Sequence, residues 1–200
     1  MMPDRLVLAT ANPGKGRELR ELVAEWGPIS VAGLDAFAGV VLPDEQGGSY
    51  AENAVAKATV VARATGVPAL GDDSGLEVEA LGGAPGLRSA RYAGSDAERI
   101  VKLLAALREV PEPRRGARFV CVVAAVFPDG RVETAEGVCR GRIATVPAGR
   151  AGFGYDPVFV PEGLEHTLAE AGTEAKHRLS HRARAVRSLG DRLHHGPGEV

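Results

Sequence analysis

The sequence predicts a mixed α/β fold: a mixed sheet with helices around it. Two observations carry the prediction. In the first half of the chain, short apolar runs alternate with segments of helical periodicity, the pattern of α/β units. Later, two long apolar-rich segments face each other across Asp129-Gly130, the signal of a tight antiparallel hairpin. A pure doubly wound sheet has no place for that hairpin.

Taken in order, Arg5 to Thr10 reads as a buried strand. Asn12-Pro13 has the N-cap and N1 pattern of a helix start. Leu19, Leu22, Val23 and Trp26 then fall on one helix face, and Gly27-Pro28 ends it. Ile29 to Leu34 is a short strand and Pro43 to Gly48 is loop. Ser49 and Glu52 have capping-box spacing. Ala54, Val55, Ala58, Val61 and Ala62 line the helix that follows, which Gly66 stops. Val67 to Leu70 is a strand delivering a turn, Gly71 to Gly75. Gly82 to Gly94 is too rich in Gly and Pro to be regular. Ser95 to Glu109 is a third helix, with Ile100, Leu103, Leu104 and Leu107 inward. The hairpin follows, Ala117 to Phe127 and Arg131 to Val146. Gly149 to Gly154 is loop and Pro157 to Val160 a short strand. A last helix starts near Ser180, with Ala183, Val186, Leu189 and Leu193 on one face, and His194 to Val200 is expected to fray.

Composition bounds the function. A chain of 200 residues suits one domain or two closely joined lobes. Apolar content of 44% and charged content of 25% are those of an ordinary globular protein, long enough to bury a core without disulfides or metal staples. Two cysteines, Cys121 and Cys139, make no disulfide framework and point to a reducing compartment. No signal-peptide core or run of transmembrane length occurs, so a cytoplasmic protein with no membrane partner is expected. A net charge of −2 supplies no general pull toward nucleic acid.

Four constellations carry chemistry. The first is Gly-Asp-Asp-Ser-Gly at 71–75, with Glu45 upstream. Adjacent carboxylates between glycines make poor core and suit a hard divalent cation, and small neighbours let an anionic ligand approach the backbone. The plainer reading of Asp72-Asp73 is a turn with Asx hydrogen bonds, and that of Glu45 a solvated loop acid. The second is Thr10-Ala11-Asn12-Pro13-Gly14-Lys15, where a strand meets a helix. Free backbone N–H groups, the helix dipole, the Thr10 hydroxyl and Lys15 suit a polyphosphate, although the spaced upstream glycine of a P-loop is missing. Lys57, on the second helix, either reaches inward to an anion or snorkels to the surface. The third is Phe153-Gly154-Tyr155-Asp156, which can stack on a base and accept from its edge, or merely enter a strand. The fourth is the basic C-terminal segment with Lys176, His181 and Arg182, a phosphate or base wall or else a solvated helix face. His181 has no ligand partner at zinc spacing, and Ser74 lies beside acids without a base.

Together these blocks resemble the inosine/xanthosine triphosphate pyrophosphatases of the RdgB type. LATANPGK, SYAENAVAKA, GDDSGLEVEALGGAPGLRSARYAG, FGYDPVF and EAKHRLSHRARA span nearly the whole chain in one order. The related Maf-type nucleotide pyrophosphatases fit far less of it. The resemblance implies an elongated central mixed sheet flanked by helices, two lobes of a single domain with a cleft between them, and a homodimer. It implies Mg2+-dependent hydrolysis of ITP, dITP and XTP to the monophosphate and pyrophosphate. Thr10 to Lys15 would hold the triphosphate, with Lys57 and Ser74 also on substrate. Asp73 would be the catalytic acid-base residue and a metal ligand, Glu45 a further ligand, and Asp72 a supporting or second metal acid. Phe153 to Asp156, Lys176, His181 and Arg182 would form the base pocket.

Two other classes are weighed against this. A non-enzymatic nucleotide sensor gains nothing from paired carboxylates without metal. An RNA-binding protein is disfavoured by an aromatic content of 4% and the lack of an RNA-recognition motif.

Overall fold

The computed structural model describes residues 2–195. It contains six strands and five α-helices among those residues. The strands are β1 (Arg5–Ala9), β2 (Ser30–Ala32), β3 (Ala69–Val78), β4 (Gly116–Val126), β5 (Val132–Ile143) and β6 (Phe159–Pro161); the helices are α1 (Pro13–Val23), α2 (Tyr50–Thr65), α3 (Asp96–Ala106), α4 (Leu168–Leu179) and α5 (His181–His195). The strands form one sheet in the order β2-β1-β3-β4-β5-β6. β1 is parallel to both β2 and β3, whereas β5 and β6 are antiparallel, so the expected mixed sheet is present. No helix among the described residues is long and apolar enough to cross a membrane.

The chain divides into two compact units. Among the described residues the first comprises 2–73, 121–137 and 182–195, and its main core gathers Leu6, Leu8, Leu19, Leu22, Trp26, Val123, Val186 and Leu189. The apolar faces read for the first and last helices are therefore the faces they bury. Trp26 donates its indole N–H to the Val186 carbonyl at 3.2 Å, so its one polar atom is satisfied inside that core. The second unit comprises residues 74–120 and 138–181 and packs Leu76, Val78, Leu103, Leu107, Phe119, Ile143, Phe159 and Leu168 together. Cys121 and Cys139 are buried, form no disulfide and belong to different clusters.

Four expectations need correction. Gly71 to Gly75 is not a turn but lies inside β3, a single strand of 10 residues. Gly71 is there for packing: a Cβ on it would sit 2.3 Å from the Ala54 carbonyl oxygen, so only glycine lets α2 lie this close to β3. The capping box of α2 is half formed. Ser49 accepts from the Glu52 N–H at 3.2 Å, but the Glu52 carboxylate turns to the N–H of Gly48, at 2.8 Å. Helix α4 was not expected. Thr167 and Glu170 form its complete capping box, and Gly172, with φ 79°, breaks it internally, which hides its periodicity. Finally, His194 and His195 belong to α5 instead of fraying, and the rest of that expected tail, residues 196–200, lies outside the described residues.

Candidate active site

In the first unit, β1 lies between β2 and β3. The chain leaves β1 for β2 on one side and returns through α2 to β3 on the other. The carboxyl end of β1 is thus a topological switch point, where open α/β sheets take ligands. Residues Thr10 to Lys15 leave the sheet there. Asn12 caps α1, its Oδ1 accepting from the N–H groups of Gly14 (2.9 Å) and Lys15 (3.1 Å), while its own N–H donates to the Thr10 hydroxyl (3.2 Å). Free amides were expected here; these two are engaged by the cap. Ala11, Asn12 and Pro13 are exposed.

Ala9, the last residue of β1, pairs with Gly71, so Asp72 and Asp73 lie where β3 runs past its neighbour's end. Successive strand residues point to opposite faces, and the two aspartates have different partners. Asp72 is fully buried. Its Oδ2 meets the Lys15 ammonium at 3.0 Å and accepts from Arg182 Nε (3.3 Å) and Nη2 (3.2 Å). Arg182, itself buried, also donates from Nη1 to Glu18. Burial works to raise the Asp72 carboxyl, but the charges of Lys15, Arg182 and Lys57 outweigh it and hold the group well below the usual carboxylate range. Its Oδ1 is buried without a hydrogen-bond partner among the described residues.

Asp73 meets α2 instead. Asn53 Nδ2 donates to its Oδ2 at 2.8 Å, and Lys57 Nζ stands 4.0 Å from its Oδ1. The same ammonium donates to Glu45 Oε1 at 2.7 Å. Burial pushes the Asp73 carboxyl up, with Glu45 adding to it; Lys57 and Asn53 offset this only in part. Burial works against the Lys57 charge, yet the surrounding carboxylates Asp72, Glu45 and Asp73 outweigh it and raise its pKa, so it is an ammonium at neutral pH.

Two residues here escaped the sequence reading. Asn53 precedes Lys57 by one helical turn, and Glu18 follows Lys15 by three positions; each pair shares a helix face. That spacing was the available signal.

No group of three His, Cys, Asp or Glu side chains among the described residues is arranged to hold a metal. The set still fits a magnesium ion. Such ions take one or two protein carboxylates and complete their shell with phosphate and water. Glu45 and Asp73, on either side of one ammonium, are two hard oxygen donors that would suit such an ion.

In the second unit, Asp156 is buried, and its Oδ2 accepts from the Phe153 N–H (2.9 Å) and from Lys176. The Lys176 ammonium lies 4.2 Å from the centre of the half-buried Phe153 ring. Tyr155 is buried and donates its hydroxyl to the Ser89 carbonyl at 3.0 Å; burial drives its pKa up. Gly154 donates its N–H to Asp96 at 2.7 Å. His181 stacks on Phe119 with ring centres 4.6 Å apart. Ser74, the first residue of this unit, is half-buried. Phe153, Asp156 and Lys176 are thus brought together, whereas Arg182 is engaged by carboxylates of the first unit.

A family model described as the Ham1 family matches residues 6–192. This chain belongs to the Ham1 family. Its similarity to individual members covers nearly full lengths. A dITP/XTP pyrophosphatase of Thermus thermophilus is 49% identical over 195 residues, 96% of this chain and 93% of that protein. The dITP/XTP pyrophosphatase of Yersinia pseudotuberculosis is 50% identical over 194 residues, covering 94% and 98%. Among solved structures, a HAM1 protein from Coxiella burnetii superposes with a TM-score of 0.85 at 40% identity, covering 95% of this chain and 98% of that one. The Staphylococcus aureus Ham1 protein gives 0.83 at 37%, with the same coverage. The Ham1 family assignment agrees with the resemblance carried by the sequence motifs.

Proposed function

We propose that this Ham1 family member hydrolyses the deaminated purine nucleoside triphosphates ITP, dITP and XTP to the monophosphate and pyrophosphate, with Mg2+, and so removes them from the nucleotide pool. The observation that carries the reading is the set of Asp73 on β3 and Glu45 in the loop before α2, flanking the Lys57 ammonium, with Lys15 on the first turn of α1 nearby. Relatives about half identical over nearly the whole chain and named for this activity support the substrate class.

The first unit handles phosphate and metal. Thr10 to Lys15 and Lys57 hold the triphosphate. Glu45 and Asp73 would hold Mg2+, which when bound neutralises charge developing on the phosphates. A water oxygen bonds to the α-phosphorus, the bridging P–O bond to the β-phosphate breaks, and pyrophosphate leaves. Asp73 orients that water and takes its proton; a carboxyl pKa raised by burial makes it a better base. Lys15 and Lys57 add fixed positive charge where the leaving group forms. Asp72 faces away from α2, and here its part is to fix Lys15, with Arg182 fixing Asp72 in turn.

The second unit handles the base, with Phe153, Gly154, Tyr155, Asp156, Lys176 and His181, while Ser74 touches substrate. Phe153 offers a stacking face, and donors such as Lys176 match the 6-oxo group of hypoxanthine and xanthine. Adenine presents an amino donor there, and buried donors left facing a donor reject it strongly. The chain works as one functional domain, as a homodimer and in the cytoplasm, the last supported by two buried cysteines that form no disulfide.

The test measures pyrophosphate released from ITP, dITP and XTP against ATP and GTP, with and without Mg2+. Turnover of the deaminated nucleotides that exceeds that of ATP at least ~100-fold and needs the metal is expected. Equal turnover of ATP would overturn the specificity.

A further inference from the structure

We propose that Asn53 is a positioning residue that sets the spacing of Glu45 and Asp73; the proposal rests on the reading above, in which these two acids receive the metal. Asn53 is buried at 3% exposure on the first turns of α2. Its amide works in two directions. Nδ2 donates to Asp73 Oδ2 at 2.8 Å, and Oδ1 accepts the N–H of Gly47 at 2.8 Å. Gly47 follows Glu45 by two residues, so one side chain ties the strand bearing one acid to the loop bearing the other.

The fit on the loop side is close. A Cβ on Gly47 would lie 2.6 Å from Asn53 Oδ1 and 2.9 Å from Glu52 Cβ. The Gly48 N–H is held in parallel by Glu52 Oε2 at 2.8 Å. Lys57 attracts both acids but fixes neither direction, because an ammonium on a flexible stem is a point charge. A neutral amide supplies one directed donor and one directed acceptor without adding charge between two carboxylates that repel each other. A carboxylate at position 53 adds a third negative charge, and an apolar residue leaves the Gly47 N–H and an Asp73 oxygen without this partner.

Asn53→Ala and Gly47→Ala attack the link from its two sides, and the second leaves α2 and every proposed ligand unchanged. Three quantities separate positioning from simple support of the fold: exchange of the Gly47 amide and Mn2+ affinity, both in nucleotide-free protein, and the Mg2+ concentration giving half-maximal ITP turnover. In Asn53→Ala, Gly47 exchange speeds at least ~10-fold. In both variants Mn2+ affinity falls and half-saturating Mg2+ rises at least ~10-fold, while KM for ITP at saturating Mg2+ stays within ~2-fold. Unchanged Gly47 exchange in Asn53→Ala, or metal dependence within ~2-fold of wild type in both variants, overturns the proposal. Wild-type protein inactive on ITP overturns the substrate reading instead, and the exchange and Mn2+ measurements still decide the role of Asn53.

Discussion

Asp72 and Asp73 are adjacent in sequence and opposite in electrostatic situation. Both are buried, yet Asp72 is surrounded by cations that keep it ionised, while Asp73 carries an uncompensated burial cost that raises its pKa. An isosteric neutral side chain therefore does no harm to the fold at position 73. Asp73→Asn is expected to lower kcat by at least ~100-fold, the scale of a lost general base, without lowering Tm; calorimetry beside a pyrophosphate assay checks both. Arg182 is the converse case. Arg182→Met strands a buried carboxylate and is expected to cost about 3–5 kcal/mol, read by urea unfolding. Adding Asp72→Asn to that variant recovers part of the loss, and strict additivity would show that the two side chains do not interact. The residue types of this cluster were visible in the sequence, with Lys15, Glu45, Lys57 and Asp73 all singled out. Asn53, which holds Asp73, and Glu18, which holds Arg182, were not. Asparagine and glutamate on a helix are commonplace until a buried carboxylate or guanidinium is seen opposite.

At the scale of elements, the junction of α2 and β3 depends on Gly71. Gly71→Ala drives a methyl into the Ala54 carbonyl and is expected to cost about 1–3 kcal/mol, as overpacking does. Turnover should fall with it, since α2 carries Asn53 and Lys57; denaturant midpoints and kcat measured together check this. Helix α4 begins on a different device. The Glu170 carboxyl accepts from the Thr167 N–H at 2.8 Å and from the Thr167 hydroxyl at 3.1 Å, and these bonds hold its pKa below the ordinary value. A carboxyl lowered in the folded state stabilises fully above its unfolded pKa, about 4.3, and loses that contribution as pH falls through the folded value. The cap on the first turn of α4 is thus expected to weaken on acidification below about pH 4. Faster exchange of the Thr167 and Glu170 amides would report it, and Glu170→Gln should flatten the dependence. At β3 local composition misled the sequence reading. Gly-Asp-Asp-Ser-Gly has the composition of a turn, and only its place in the sheet, within β3 between β1 and β4, makes it extended.

For the molecule as a whole, each unit buries its own apolar core, and that burial, not charge neutralisation at Glu45 and Asp73, is the main stabilising contribution. The metal proposed for those acids is then a requirement of turnover and not of folding. Chelation with EDTA should abolish ITP hydrolysis and leave Tm within about 2 °C, less than a 1 kcal/mol change would produce in a protein of this size. A larger fall would mean that the metal also holds the fold together.

By itself the sequence determined the fold class, most element centres, the faces that α1, α2 and α5 bury, and the residue types that make phosphate and metal chemistry plausible. These follow from local periodicity, capping residues and turn chemistry, which act over a few positions. Only the tertiary structure decided that the paired aspartates lie in a strand, that they meet different helices, and that the Gly14 and Lys15 amides are spent on the Asn12 cap. It alone placed Arg182 on Asp72 and Asn53 between Asp73 and the Glu45 loop. Those facts depend on which charged and polar groups are desolvated together across long stretches of chain, and local spacing carries no record of that.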